Sequence, residues 1–195
     1  ALPLNGYFIL SATIPDYLAR TKLDPVPPDH PEVRRVEHEV RDRITRLLAV
    51  KGKRTVDSLH RELGLLMWNH CGMSRNEAGL TAALQRIPEL REEFWRDVLV
   101  VDGSDTVNQS LEKAGRVADF LELAELICVD ALHRRESCGA HFREESQTED
   151  HEARRNDQEF CYAAAWEYTG DLAKPALHRE PLVFENLALS ERSYK

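Results

Sequence analysis

The chain has 195 residues, 42% hydrophobic and 31% charged, with a formal charge of −8. That length supports one good-sized domain, or one domain with an appendage. The acidic balance excludes a nucleic-acid binder, since the densest basic run is only "KGKR", Lys51 to Arg54.

No segment approaches the ~20 apolar residues that cross a bilayer. The most apolar stretch, "GYFILSATI", is short and has no basic region before it, so it is not a signal peptide. The four cysteines, Cys71, Cys128, Cys138 and Cys161, form no C-x-x-C pair. Reduced thiols in a cytosolic compartment are expected, not a disulfide framework. The chain opens on Ala1 rather than Met, which points to a cut from a longer protein.

The predicted elements begin with a helix in residues 1–22, where Tyr7, Leu10, Ile14, Tyr17 and Leu18 fall at helical spacing and Pro15 interrupts. Residues 23–31, "LDPVPPDHP", hold four prolines in nine positions and read as an extended linker. Pro31 suits the first turn of the next helix, whose stripe is Val33, Val36, Val40, Ile44, Leu47 and Leu48. After "KGKR", Thr55 is the expected N-cap of a helix that ends near His70, with Gly72 as its C-terminal glycine. "SRNE" (Ser74 to Glu77) has the form of a capping box and opens a helix to about Val101, kinked or broken at Pro88.

"DGSD" (Asp102 to Asp105) is a loop, and "TVNQ" (Thr106 to Gln109) is a second capping box. The helix after it is the clearest, with one face marked by Leu111, Ala114, Ala118, Leu121, Ala124 or Glu125, Cys128, Ala131 and Leu132, and an end near Arg135. The segment beginning "ESCGAHFREESQ" has almost no apolar content and reads as irregular. Then Phe160, Tyr162, Ala164, Trp166 and Tyr168 alternate, "TGD" turns the chain, and Leu177 opens a second alternating run that Pro181 confines to an edge. The expected fold is mainly α: an antiparallel bundle of about four helices over residues 32–135, then residues 136–195 as a loop and an extended or β-hairpin tail.

Candidate chemistry centres on Cys138 and His141 in "CGAH". A zinc site needs four ligands, and the usual second pair is missing. As a nucleophile, Cys138 follows a helix C-terminus, where the dipole does not favour a thiolate, although Arg135 and His141 are near in sequence. A redox or metal site at Cys138 stays open as the weakest of the function classes. The nine glycines are scattered, with no G-x-G-x-x-G or P-loop. Trp68 and Trp95 read as core or interface anchors, and His60 and His70 as surface or capping residues. The residues by themselves indicate an interaction or accessory domain.

Two ordered runs carry a resemblance. Met67, Trp68, Gly72, Met73, Arg75, Asn76, Gly79 and Leu80 make up one; Ala131, Leu132, Arg134, Glu136, Ser137, Gly139, His141 and Arg143 make up the other. With the closing "EPLVFENLALSERSYK", they resemble the C-terminal region of the flavoprotein subunit of succinate dehydrogenase and fumarate reductase. Much of that family, L-aspartate oxidases included, has arginine where Cys138 stands; the "ESCG…HFREE" form resembles a bacterial branch of the dehydrogenases and reductases.

The resemblance implies a domain of about a third of such a subunit. Residues 1–22 would be a remnant of the FAD-binding domain, and 23–31 its linker to the helical domain. The parent reaction is hydride transfer between succinate or fumarate and FAD. No catalytic, FAD-binding or metal residue carries over, so FAD belongs to the full-length subunit. The implied partners are the FAD-binding domain and an iron–sulfur subunit, in a cytoplasmic complex peripheral to the inner face of the cell membrane. Glu136, Ser137, Gly139, His141 and Arg143 are then expected at a junction, with Gly139 permitting a turn and Glu136, His141 and Arg143 fastening it. An interface exposed by excision predicts self-association. A stand-alone helical adaptor derived from the same domain is the alternative.

Overall fold

Pro31 begins the first long helix, where its fixed φ and missing N–H cost nothing. The computed structural model describes residues 10–101 and 107–190, and the chain divides into two compact units between Arg46 and Leu47.

In the first unit lie α1 (Ser11–Arg20) and most of α2 (Pro31–Ala49). Pro15 sits inside α1 without ending it. At the start of α2, His30 Nδ1 accepts from the Glu32 amide at 3.2 Å. Along α2, Arg35 pairs with Glu32 and Glu39, and Arg41 with Glu37, at i,i+3 and i,i+4 spacing. All are solvated and contribute little each. Val33, Val36, Val40 and Ile44 form the expected stripe, yet all four are exposed.

The second unit has its core in three helices: α3 (Val56–Cys71), α4 (Glu77–Asp97) and α5 (Gln109–His133). Leu59, Leu80, Ile87, Leu90, Phe94, Leu121 and Cys128 are fully buried among them, and Leu47 at the end of α2 joins the same cluster. Thr55 caps α3 as expected, its hydroxyl accepting from the Ser58 amide, and Gly72 ends it. The mainly α architecture predicted from the pattern is therefore present.

Several boundaries differ. In place of the "SRNE" box, α4 begins at Glu77 with Asn76 as cap, accepting from the Gly79 amide at 2.8 Å. Ser74 cannot cap because its hydroxyl donates to Glu144, in a loop 70 residues away. Likewise α5 is capped by Asn108, two residues after the predicted Thr106, which with the "DGSD" loop lies outside the described residues. Pro88 does not break α4, since Ala83, Ile87, Leu90 and Phe94 keep one buried face through it. That packing outweighs the cost of a lost helical bond. Trp68 is 77% exposed rather than core.

The last predicted turn of α4 is instead strand. Arg54–Thr55 (β1) pairs in parallel with Val98–Leu99 (β2). The approach is close: a Cβ on Gly52 would lie 2.0 Å from the Asp97 carbonyl carbon, while the Lys53 amide donates to Asp97 Oδ1. Beside this clip Arg54, Glu62, Arg86 and Glu93 close a ring of ion pairs. Arg54 reaches Glu62 and Glu93 at 2.8 Å each, and Arg86 reaches them at 2.6 and 2.7 Å. Each carboxylate is held below its ordinary range first by hydrogen bonding from Arg86. A network of half-buried pairs, each arginine bridging both carboxylates, does more than the isolated pairs on α2.

A short helix, α6 (Asp157–Phe160), precedes the hairpin and was not foreseen. The hairpin is antiparallel, β3 (Tyr162–Glu167) with β4 (Ala176–Pro181), in a register from Tyr162↔Pro181 to Glu167↔Ala176. Phe160 falls in α6, not in the strand, but Tyr162, Ala164 and Trp166 share the less exposed side as the alternation predicted.

Gly52→Ala is expected to destabilise the second unit by about 1–3 kcal/mol, the usual penalty for forcing extra atoms into a packed site. Urea unfolding midpoints of the two proteins measure it; an unchanged midpoint would mean that the β1–β2 clip yields freely.

Candidate functional site

The polar residues singled out in the sequence converge on the C-terminal end of α5. A helix leaves its last carbonyls without partners inside the helix. Here a buried guanidinium supplies two donors: Arg143 Nη1 donates to the carbonyls of Ala131 at 2.9 Å and Leu132 at 3.3 Å. Its Nε donates to Glu145 at 3.0 Å, so the charge is paired as well as hydrogen-bonded. A cation at a helix C-terminus also meets the favourable end of the dipole.

The residues after α5 hold Arg143 in place. The Ser137 hydroxyl accepts from the Arg143 amide at 2.8 Å and donates to its carbonyl at 3.2 Å. Glu136 is buried; its carboxylate accepts from Arg134 at 2.8 Å and from the Asn156 amide at 2.9 Å. Arg134 donates from Nη2 to the Tyr162 carbonyl at 3.1 Å and from Nη1, the nitrogen that serves Glu136, to the Phe160 carbonyl at 3.2 Å. The Cys138 and His141 backbones bond to each other in both directions across a tight turn. Gly139 sits in that turn with φ +61°, a region costly for side-chain-bearing residues. The five junction residues thus stand together.

His141 closes the arrangement. Arg75 donates to its Nδ1 at 3.0 Å, and its Nε2–H donates to the Arg134 carbonyl at 2.8 Å. Those partners select one neutral tautomer. Burial lowers the pKa of His141, and Arg75 and Arg143 add to this. With both ring nitrogens engaged, His141 is not free to share a metal with Cys138. Among the described residues no group of three or more His, Cys, Asp or Glu side chains could hold a metal ion. The Cys138 thiol is pushed up by burial and by Glu136, away from a ready thiolate.

Residues 74–77 form the facing wall. The Arg75 amide donates to the Phe142 carbonyl at 3.1 Å, and the Glu144 amide to the Arg75 carbonyl at 2.8 Å. Glu144 accepts from Asn76 and Ser74, each at 2.8 Å, and these two hold its pKa below the ordinary value. Glu145 accepts from the Glu77 amide at 2.6 Å, at the positive end of α4. Burial opposes ionisation of Glu145, but the backbone amides and Arg143 outweigh it and its pKa is lowered. Sequence reasoning found the two motif runs and not their contact. The signal available was that both runs pair charged residues with a glycine and an unexplained histidine or asparagine.

On the hairpin side, Trp166 Nε1 donates to Asp130 at 2.8 Å, and His133 Nε2 lies 2.7 Å from the Tyr162 hydroxyl. Arg134 and Arg179 stack on Tyr162, 5.2 and 4.8 Å from the ring centroid. Arg75, Arg134, Glu136, Ser137, His141, Arg143, Glu144 and Glu145 are each bonded to another part of the same unit. The arrangement defines a helical domain whose ionisable groups fasten one helix end to a loop and a hairpin.

The chain belongs to the family described as fumarate reductase flavoprotein C-term, whose model matches residues 60–194. It is 31% identical over 111 residues to the fumarate reductase flavoprotein subunit of Haemophilus influenzae, covering 55% of this chain and 18% of that one. It is 24% identical to the succinate dehydrogenase flavoprotein subunit of Bacillus subtilis, over 76% of this chain and 24% of that one. The fold matches Escherichia coli quinol fumarate reductase with a TM-score of 0.71 at 22% identity, covering 93% of this chain and 29% of that one. The chain thus spans less than a third of the length of these relatives.

A flavin dinucleotide, which the family name implies, needs glycine amides at a helix N-terminus to cradle its phosphates. The described residues do not fit it. Gly139 and Gly170, the glycines with positive φ, lie in the loop after α5 and between the hairpin strands. The N-terminus of α4 already holds the Glu145 carboxylate.

Glu136→Ala is expected to cost about 3 kcal/mol, as it removes a buried carboxylate that accepts from the half-buried Arg134 and from the Asn156 amide. Gly139→Val should cost only about 1–2 kcal/mol, a backbone effect, because no atom lies within 4 Å of the added Cβ. Chemical denaturation of both variants tests the order; equal losses would contradict it.

Stability should also fall on mild acidification. His141 and His133 both have pKa values lowered from 6.5, chiefly by burial. The unfolded chain therefore binds protons near pH 6.5 that the folded chain binds only at lower pH. Their contribution is complete above that value and is lost as pH falls below it. Urea midpoints from about pH 7.5 to about pH 5 should decline, and His141→Gln should flatten the slope.

Proposed function

We propose that the chain acts as the C-terminal support domain of an FAD-dependent subunit that interconverts succinate and fumarate. One observation carries this reading: the two motif runs that mark the family form the two walls of one junction, and their ionisable groups are bonded to each other. Such groups hold shape and are not placed to transfer hydride or protons to a substrate.

In this role the rigid three-helix core braces the FAD-binding part of the parent subunit and offers surface to an iron–sulfur partner. The flavin and the reacting groups belong to that other part. Among the described residues no helix is long and apolar enough to cross a membrane. Attachment at the inner face of the membrane, through the assembled complex, is consistent with that. Glu136, Ser137, Gly139, His141 and Arg143 act here as positioning residues for assembly.

The test uses the full-length subunit carrying this segment. Arg143→Met is expected to lower the yield of flavin-bearing, assembled subunit, while turnover per bound flavin stays unchanged. Normal assembly with reduced turnover per flavin would assign Arg143 to the chemistry and overturn the reading. The 195-residue chain alone is expected to purify colourless and to leave fumarate and succinate untouched; a yellow preparation would count equally against it.

A further inference from the structure

Beside the junction, a surface cavity of about 530 Å³ opens between the end of α5, α6 and β4. Leu132 and Phe160 supply its apolar lining, while His133, Arg135 and Arg179 bring basic groups to it against one carboxylate, that of Glu159. The Arg179 guanidinium lies over the Tyr162 ring, 4.8 Å from its centroid, and has no ion-pair partner among the described residues. Stacking of this kind fixes the plane of the guanidinium and leaves its N–H donors for an anion. Arg135 pairs with Glu159 at 3.6 Å, and both side chains are largely exposed. So long and solvated a pair is worth little and can be exchanged for another carboxylate. The other acids nearby are already spent, Asp130 on Trp166 and Glu136 on Arg134 and the Asn156 amide.

We propose that this cavity binds an organic carboxylate, with Arg179 and Arg135 pairing its oxygens and Leu132 and Phe160 covering its carbons. A guanidinium presents parallel N–H donors that match the two oxygens of a carboxylate. A mixed lining with a few placed polar groups is the usual make-up of a small-molecule site, and the volume is in the usual range. The apolar part of the lining favours an organic acid over inorganic phosphate, which would leave Leu132 and Phe160 uncovered.

His133 reports on the site. Its Nε2 meets the Tyr162 hydroxyl at 2.7 Å, and its Nδ1 has no partner among the described residues. Burial first and then Arg179 lower its pKa, against Asp130, and Arg134 and Arg135 add to the lowering. Phe160 of α6 and Tyr162 and Trp166 of β3 contact the ring without adding charge. A carboxylate bound to Arg179 and Arg135 offsets their field and therefore raises the His133 pKa.

NMR of the His133 ring tests this, with sodium benzoate titrated into the 195-residue chain at constant ionic strength. A saturable shift and a raised His133 pKa are expected with benzoate, and neither with benzamide, which has the same body without the charge. Arg135→Gln and Arg179→Gln should each weaken benzoate binding about tenfold or more, the loss of one charge-assisted contact. Arg135→Gln removes only an exposed pair, so its effect is not one of folding. Arg41→Gln, which removes a solvated charge on α2, should leave the binding unchanged. A response that never saturates, that benzamide reproduces, or that survives both cavity variants would overturn the proposal. Inorganic phosphate binding as tightly as benzoate would overturn it as well, by showing that the apolar lining adds nothing.

Discussion

The buried Arg143 guanidinium at the end of α5 is the contact on which the rest of the junction depends. Desolvating a guanidinium is costly, and the cost is met only if its donors are matched. Helix carbonyls at Ala131 and Leu132 and the Glu145 carboxylate do that here. Their positions in turn require Ser137 to hold the Arg143 backbone and Glu145 to reach the start of α4. One buried charge therefore links the end of one helix to the beginning of another.

The same logic accounts for the crowd of charged residues in a segment that looks reactive when read along the chain. Arg75, Arg134, Glu136, His141 and Glu144 are each engaged by a partner from elsewhere in the unit. A catalytic group needs an unspent lone pair or proton facing a substrate. These five residues direct their hydrogen bonds at other parts of the unit. The second unit has two further fastenings of this kind, the Arg54–Glu62–Arg86–Glu93 ring and the Arg91–Glu125 pair. All three lie between elements distant in sequence, where rigidity serves a supporting domain.

Helix faces and the Thr55 cap were legible because they depend on neighbours within a few residues. The capping boxes at Ser74 and Thr106 matched the pattern and still misplaced the starts of α4 and α5. In the first case the pattern's serine and the Glu77 amide were both claimed by the loop after α5. The end of α4 failed for a related reason: Val98 and Leu99 have the apolar character of a continuing helix, but pair with Arg54 and Thr55. Pro88 erred the other way, a strong local breaker overridden by a continuous buried face. At Ser74, at the end of α4 and at Pro88, contacts made over tens of residues outweighed a local preference worth about 1–3 kcal/mol.

By itself the sequence determined the mainly α character, the order of the long helices and the hairpin, the hairpin's alternation and, through two ordered motif runs, the family. These follow from periodicity and from residue identity, both of which are properties of the chain as a string. Only the tertiary structure decided that the two runs face each other, and that Arg143 and not Cys138 is the centre of the junction. It also decided that the Cys128 thiol meets the Met67 sulfur between α3 and α5. Those are matters of which surfaces meet, and a hydrogen bond between Arg75 and His141 leaves no trace in the residues between them.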